Sequence, residues 1–250
     1  MLLYPIFYAP NENWVVSATV DAGGFSPDYA FALSATLGGV CVAFADIFDA
    51  DILRPYPCLT VLNASETPQC FADAAVIFLS TKGNYPQQHI YQFAHELCHF
   101  VIHAPVCGAY RWLEETLCEA MSWYVLSWVY AHREDAPLWP CRGIYASFPA
   151  YIASSQQDRL ALGGQPLCQF VAQNLPYLRG SCYDRKMNRA IAAELFPLFL
   201  EHPELWQAAL RLPLLEESLP LSDALRLLCD APSVSDTLRD SFIGLLAGLG

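Results

Sequence analysis

The five residues His95-Glu96-Leu97-Cys98-His99 constrain this chain more than any other segment. On a helix, residues four apart lie on one face, about 6 Å from each other along the axis. Two imidazoles in that relation can bind one tetrahedral Zn²⁺ ion, and the carboxylate after the first of them faces the same cleft. His95 and His99 are therefore candidate metal ligands. Glu96 is the candidate general base, able to take a proton from a metal-bound water and pass it to a leaving amine. The flanks favour a helix: Pro86 suits a first helical turn, and Pro105 and Gly108 close the segment after His103.

A catalytic zinc ion needs a third protein ligand and an open position. His103 continues the four-residue series, but on a straight helix it lies about 12 Å from His95, too far for one ion. The metzincin metallopeptidases turn the chain back to the metal with a glycine and a third histidine, as HExxHxxGxxH; Ile102 and Pro105 stand at those positions here. His103 reads as a helix-end histidine favoured by the helix dipole. A second helix, expected over about residues 112–131, is the better source. It carries Trp112-Leu113-Glu114-Glu115-Thr116-Leu117-Cys118-Glu119. The break at 104–111 is short, so the two helices should form an antiparallel hairpin. That register sets Glu115 opposite His99 and Glu119 opposite His95. Glu115 is the favoured third ligand. Glu119 is either the alternative ligand or an acceptor for the far nitrogen of His95, fixing its tautomer. Glu114 is turned about 100° away, toward solvent. Leu113, Leu117, Met121, Trp123 and Tyr124 make the helix largely buried, and buried carboxylates need partners. Cys98 and Cys118 flank the proposed site; Cys98 reads as buried filler.

The pairing of HExxH with a downstream glutamate on a second helix resembles the gluzincin metallopeptidases. Trp112-Leu113-Glu114-Glu115 is similar to the WLNE element of their aminopeptidase branch, and Glu115-x-x-x-Glu119 to the ExxxD/E element of thermolysin-like enzymes. Both resemblances imply Glu115 as the zinc ligand. A competing alignment makes it Glu119: the His99-to-Glu119 interval is that of thermolysin-like enzymes, and Glu119-Ala120 is similar to the ligand segment of ImmA-like peptidases. The resemblance covers roughly residues 75–130. It implies a zincin-like fold, hydrolysis of peptide bonds by a zinc-activated water, and an edge strand beside the active helix that binds substrate backbone. Ala75 to Ser80 is the candidate strand. No GxMEN element stands upstream, so exopeptidase specificity has no support. Candidates for the donor that stabilises the transition state are Tyr183, Arg185, Tyr145 and Tyr151.

Composition narrows the setting. Hydrophobic residues make up 54% and charged residues 15%, a globular balance. The net charge of −12 argues against a nucleic-acid partner, since phosphate binding needs a basic surface. No apolar run is long enough to span a membrane. Met1-Leu2-Leu3-Tyr4-Pro5 lacks the basic start of a signal peptide, which favours the cytoplasm. The 10 cysteines are irregularly spaced and include no CxxC, so reduced, mostly buried thiols are expected.

The expected architecture is α+β. Trp14 to Val20, Gly39 to Phe44, Leu59 to Asn63 and Ala75 to Ser80 read as strands. Phe25 to Leu37 reads as a helix with Ser26 as N-cap. Pro137, Pro140, Gly143 and Pro149 mark a loop region. Beyond it lie helices at about 166–178, 183–201, 203–211, 221–229 and 234–248. This divides the chain into a zincin-like core, 1–135, and a helical C-terminal subdomain, 136–250. The expected function is that of a zinc metallopeptidase acting on a peptide or protein substrate. The rivals are a catalytically silent zincin-fold binding protein and a helical protein with a chance motif.

Overall fold

The computed structural model describes residues 4–7, 15–19, 27–49, 52, 58–63, 66–81, 85–134 and 142–248. Its strands are β1 (Tyr4–Phe7), β2 (Val15–Thr19), β3 (Cys58–Asn63), β4 (Gln69–Phe71) and β5 (Val76–Leu79). Its α-helices are α1 (Pro27–Phe48), α2 (Pro86–Ile102), α3 (Arg111–Ala131), α4 (Phe148–Gln157), α5 (Leu167–Gly180), α6 (Arg185–Glu201), α7 (Leu221–Leu228) and α8 (Asp236–Ala247). Short 3₁₀ segments occupy Ala72–Ala74, Gly108–Tyr110, Arg142–Ser147 and Pro203–Leu214. The fold is mixed α+β, and described residues beyond 141 contain no strand. No helix among the described residues is long and apolar enough to cross a membrane. Two compact units make up the chain. One comprises residues 1–103 and 121–152, the other residues 104–120 and 153–250.

The first unit holds the sheet, in the order β1-β2-β3-β5-β4. β2, β3 and β5 run parallel, while β1 and β4 are antiparallel to their neighbours. Parallel neighbours need a crossover, and α1 supplies it between β2 and β3. The chain then leaves β3 for the outer position, forms β4, and returns through the Ala72–Ala74 turn to insert β5 between them. Ala75 closes that turn at φ 50. β5 is therefore paired on both sides, and the expectation that Ala75 to Ser80 forms the edge is corrected. Among the described residues the edge beside β5 is β4, whose three residues are too short to show a period in the sequence.

Two further expectations change. Gly39 to Phe44 is not a strand but the middle of α1. Val40, Cys41, Phe44 and Phe48 recur at helical spacing and are all buried, with the Phe44 and Phe48 rings 5.7 Å apart. One continuous apolar face outweighed the β-branched and glycine residues that suggested a break. Ser26, the expected cap, lies outside the described residues. The expected loop region also shortens: the chain is helical from Arg142 to Gln157 despite Pro149, which sits in the first turn of α4, where its missing N–H is harmless. The segment 203–211 is helical, but as part of a 3₁₀ run.

In the second unit α5, α6, α7 and α8 pack with the Pro203–Leu214 segment around Phe199, Trp206, Phe242 and Leu246. Phe199 meets Trp206 at 4.3 Å and Phe242 at 5.7 Å between ring centroids. Asp184 and Ser235 cap α6 and α8 by accepting hydrogen bonds from the Met187 and Leu238 amides.

Phe44→Ala tests the reassignment of residues 39–44 to a helix that faces the core. It should destabilise the protein by about 3–5 kcal/mol, read from the urea midpoint. A loss below roughly 1 kcal/mol would mean that Phe44 sits on an open face, contrary to its burial.

Candidate metal centre

α2 explains how the first part of the site is held. Ile90, Phe93, Ala94, Leu97 and Val101 recur at helical spacing and are buried. The helix packs on α1, β4 and β5. The opposite stripe, Gln88, Gln92, His95 and His99, is only half-buried. The histidines therefore sit on the one face of α2 that solvent can reach. Their ring centroids are 5.1 Å apart, inclined at 64°. Glu96 is buried, 6% exposed. Cys98 is fully buried, in keeping with a packing role, and Cys118 is fully buried as well.

The first turns of α2 are fastened to the end of β5. Gln92 accepts the Ser80 amide at 2.9 Å and donates to the Ser80 hydroxyl at 3.2 Å. His89, 1% exposed, lies 3.0 Å through Nδ1 from the Tyr85 carbonyl and 2.5 Å through Nε2 from the Thr81 hydroxyl. A carbonyl can only accept, so Nδ1 carries the proton and Thr81 donates to Nε2. Burial pushes the His89 pKa down from 6.5 to about 4, against a smaller upward pull from the Tyr85 carbonyl.

α3 supplies the carboxylates. Its start is anchored within the second unit by Tyr110. The Tyr110 hydroxyl donates to the Leu219 carbonyl at 2.7 Å, and Arg179 Nη2 donates to the same carbonyl at 3.2 Å. The Arg179 guanidinium also lies over the Tyr110 ring at 5.7 Å. Burial raises the pKa of the Tyr110 hydroxyl, so it stays a donor. Trp112 and Leu113 are fully buried, and this fixes which way the next residues face.

His95, His99 and Glu115 come together. One ligand atom from each lies within 4.8 Å of the other two, and all three residues are half-buried. Two imidazoles and a carboxylate are a donor set that could hold a metal ion. Ligand atoms about 2.1 Å from one tetrahedral ion stand about 3.4 Å apart, so the observed spread needs only a small side-chain contraction. The residues present fit such an ion. Glu119 is not in this group. It is 3% exposed, and its Oε1 accepts from Arg189 Nε at 2.5 Å. Arg189 Nη1 donates in turn to Asp158 Oδ2 at 2.7 Å.

His103 stands outside the group. It caps α2, exposed, with φ 61 and ψ −43, and its amide bonds to the His99 carbonyl. Glu114 is half-buried rather than open to solvent. Of the donor candidates, Tyr183 is 73% exposed, Arg185 is exposed at the start of α6, and Tyr145 is buried. Tyr151 packs edge-on against Tyr91, one turn before His95, with ring centroids 5.9 Å apart. Sequence reasoning missed Arg189, 70 residues beyond Glu119.

Two outcomes follow from the histidines outside the group. The folded pKa of His89 lies below its unfolded value, so its contribution to stability is complete above pH 6.5 and is lost as pH falls toward 4. Chelator-treated wild type should lose about 3 kcal/mol more than His89→Gln over that window, measured by urea denaturation at each pH. Equal losses in the two proteins would refute this. The backbone of His103 lies in a region that costs roughly 1–3 kcal/mol for a residue with a side chain. His103→Gly should therefore raise the melting temperature and leave metal uptake unchanged; reduced uptake would make His103 a ligand.

Comparison with protein-family models, with curated proteins and with solved structures returns no match.

Proposed function

We propose that this chain is a zinc-dependent hydrolase of the gluzincin kind, with a zincin-like arrangement of helices, that cleaves peptide bonds. The observation that carries this reading is the group of His95, His99 and Glu115, with their ligand atoms within 4.8 Å of one another, and Glu96 buried in the same turn of α2. Zinc is favoured over magnesium or calcium because two of three donors are imidazole nitrogens, and the harder ions prefer oxygen alone. Bound there, zinc would supply a Lewis acid and a water acidic enough to lose a proton near neutral pH.

The chain's own residues supply the rest. His95 and His99 present nitrogen lone pairs from one helix face, at a spacing that folding of α2 fixes in advance. Glu115 contributes a negative charge that strengthens cation binding. Glu96 accepts a proton from the attacking water and returns it to the leaving amine, so the base becomes the acid. β4, the edge strand against which α2 packs, offers backbone groups to which an extended peptide can add as a further strand.

Protein purified without chelator should contain one zinc per chain and cleave members of a peptide library. Glu96→Gln should keep the zinc while lowering the turnover number by about 10²–10⁴-fold. Failure of the wild type to retain or take up zinc would sink the metal reading. Zinc retention with identical behaviour of wild type and Glu96→Gln in every cleavage assay would favour a binding protein instead.

A further inference from the structure

Glu115 and Glu119 are one turn apart on the same face of α3, yet only Glu115 joins the group with His95 and His99. A hydrolytic zinc site needs three protein ligands and an open fourth position, and a fourth protein ligand makes a closed, structural site. Something must hold Glu119 back. Arg189, from the buried face of α6, does so. Its Nε donates to Glu119 Oε1 at 2.5 Å, its side chain is 10% exposed, and that of Glu119 is 3% exposed. The same guanidinium is oriented from its other side by Asp158 Oδ2, 2.7 Å from Nη1. Asp158, 57% exposed, also lies 3.8 Å from Lys186 Nζ. The planar guanidinium fork engages two carboxylates at once, which an ammonium cannot do with the same geometry. Asn188 beside it is buried, its amide nitrogen donating to the Cys182 carbonyl at 2.8 Å, which ties the turn before α6 to this helix.

We propose that Arg189 is a positioning residue of the metal centre, which by holding the Glu119 carboxylate reserves the metal for His95, His99 and Glu115 and keeps the fourth position open. This rests on the metal reading above. The guanidinium is fixed in the fold before any cation arrives. The Glu119 carboxylate is engaged by Arg189 rather than by the ion. Asp158 sets the angle of the fork from the half-exposed end.

The test uses Co²⁺ as the probe, in wild type, Glu119→Gln, Arg189→Gln and the double variant. Visible absorption reports coordination number, and competition with a chromophoric chelator reports affinity. Wild type and Glu119→Gln should give the same Co²⁺ spectrum. Arg189→Gln should give weaker visible bands, as expected for an added ligand, and bind Co²⁺ roughly tenfold more tightly. Glu119→Gln in that background should reverse both changes. A spectrum altered by Glu119→Gln alone would mean that Glu119 is already a ligand, and would overturn the proposal. So would a folded Arg189→Gln with wild-type spectrum and affinity. Should Arg189→Gln not fold, Arg189→Lys takes its place, and the same changes in smaller degree are expected; their absence overturns the proposal. If wild type takes up neither Co²⁺ nor Zn²⁺, the metal reading falls and this proposal with it. A failure confined to the Arg189 variants overturns this proposal alone.

Discussion

The packing of α2 on the sheet is the interaction on which the candidate centre depends. A helix that buries Ile90, Phe93, Leu97 and Val101 on one side has no freedom to rotate, because a turn of about 100° would expose that stripe and bury the glutamines and histidines instead. Each buried leucine- or phenylalanine-sized side chain contributes about 1.5–3 kcal/mol by leaving water, so the rotational preference is large compared with any single polar contact. Ser80, Thr81, Gln92 and His89 then fix the helix along its axis through side-chain hydrogen bonds to the end of β5. Apolar burial sets the angle and polar contacts set the register. Together they leave His95 and His99 on the reachable face.

The carboxylates obey a different constraint. A buried negative charge is tolerated only where a positive partner or a metal answers it. Glu119 is answered by Arg189, and Glu115 lies with two histidines in a group that suits a cation. Removing one member of a buried ion pair typically costs about 3–5 kcal/mol, because the other is left uncompensated. The gain from forming the pair is much smaller, once the desolvation of both groups is counted. A pair of this kind adds little net stability but strongly disfavours any arrangement that leaves Glu119 alone. Its contribution is to specificity of structure, and here that specificity concerns which carboxylate of α3 is available.

What was legible in the sequence follows the range over which each feature is determined. The two helices α2 and α3 could be read because their evidence is local: the four-residue spacing in His95 to His99, the prolines at 86 and 105, and the apolar run after Trp112 all act within one or two turns. The meeting of Glu115 with the histidines was inferable from a short connection alone. Gly39 to Phe44 was misread because Gly38-Gly39-Val40 carries the local marks of a turn and a strand, while its helical character comes from a face completed by residues on either side. β4 went unseen because three residues cannot display a period, and with it went the correct identity of the edge beside β5. Arg189 lay beyond reach for another reason. Which carboxylate a buried arginine meets depends on how the helices of the second unit pack, and no spacing in the chain encodes that.

These ranges also separate the parts of the centre by how firmly they are built. The histidine pair is determined by one helix and is present whenever α2 is formed and docked. The position of Glu115 depends on the start of α3, and that start hangs on Tyr110, held by the Leu219 carbonyl and by Arg179 from distant parts of the chain. The histidine pair is thus set by one helix, whereas the start of α3 is set by contacts gathered from across the sequence. Those contacts are the buried ones of Tyr110, Trp112 and Leu113 rather than any made by the acidic side chains themselves.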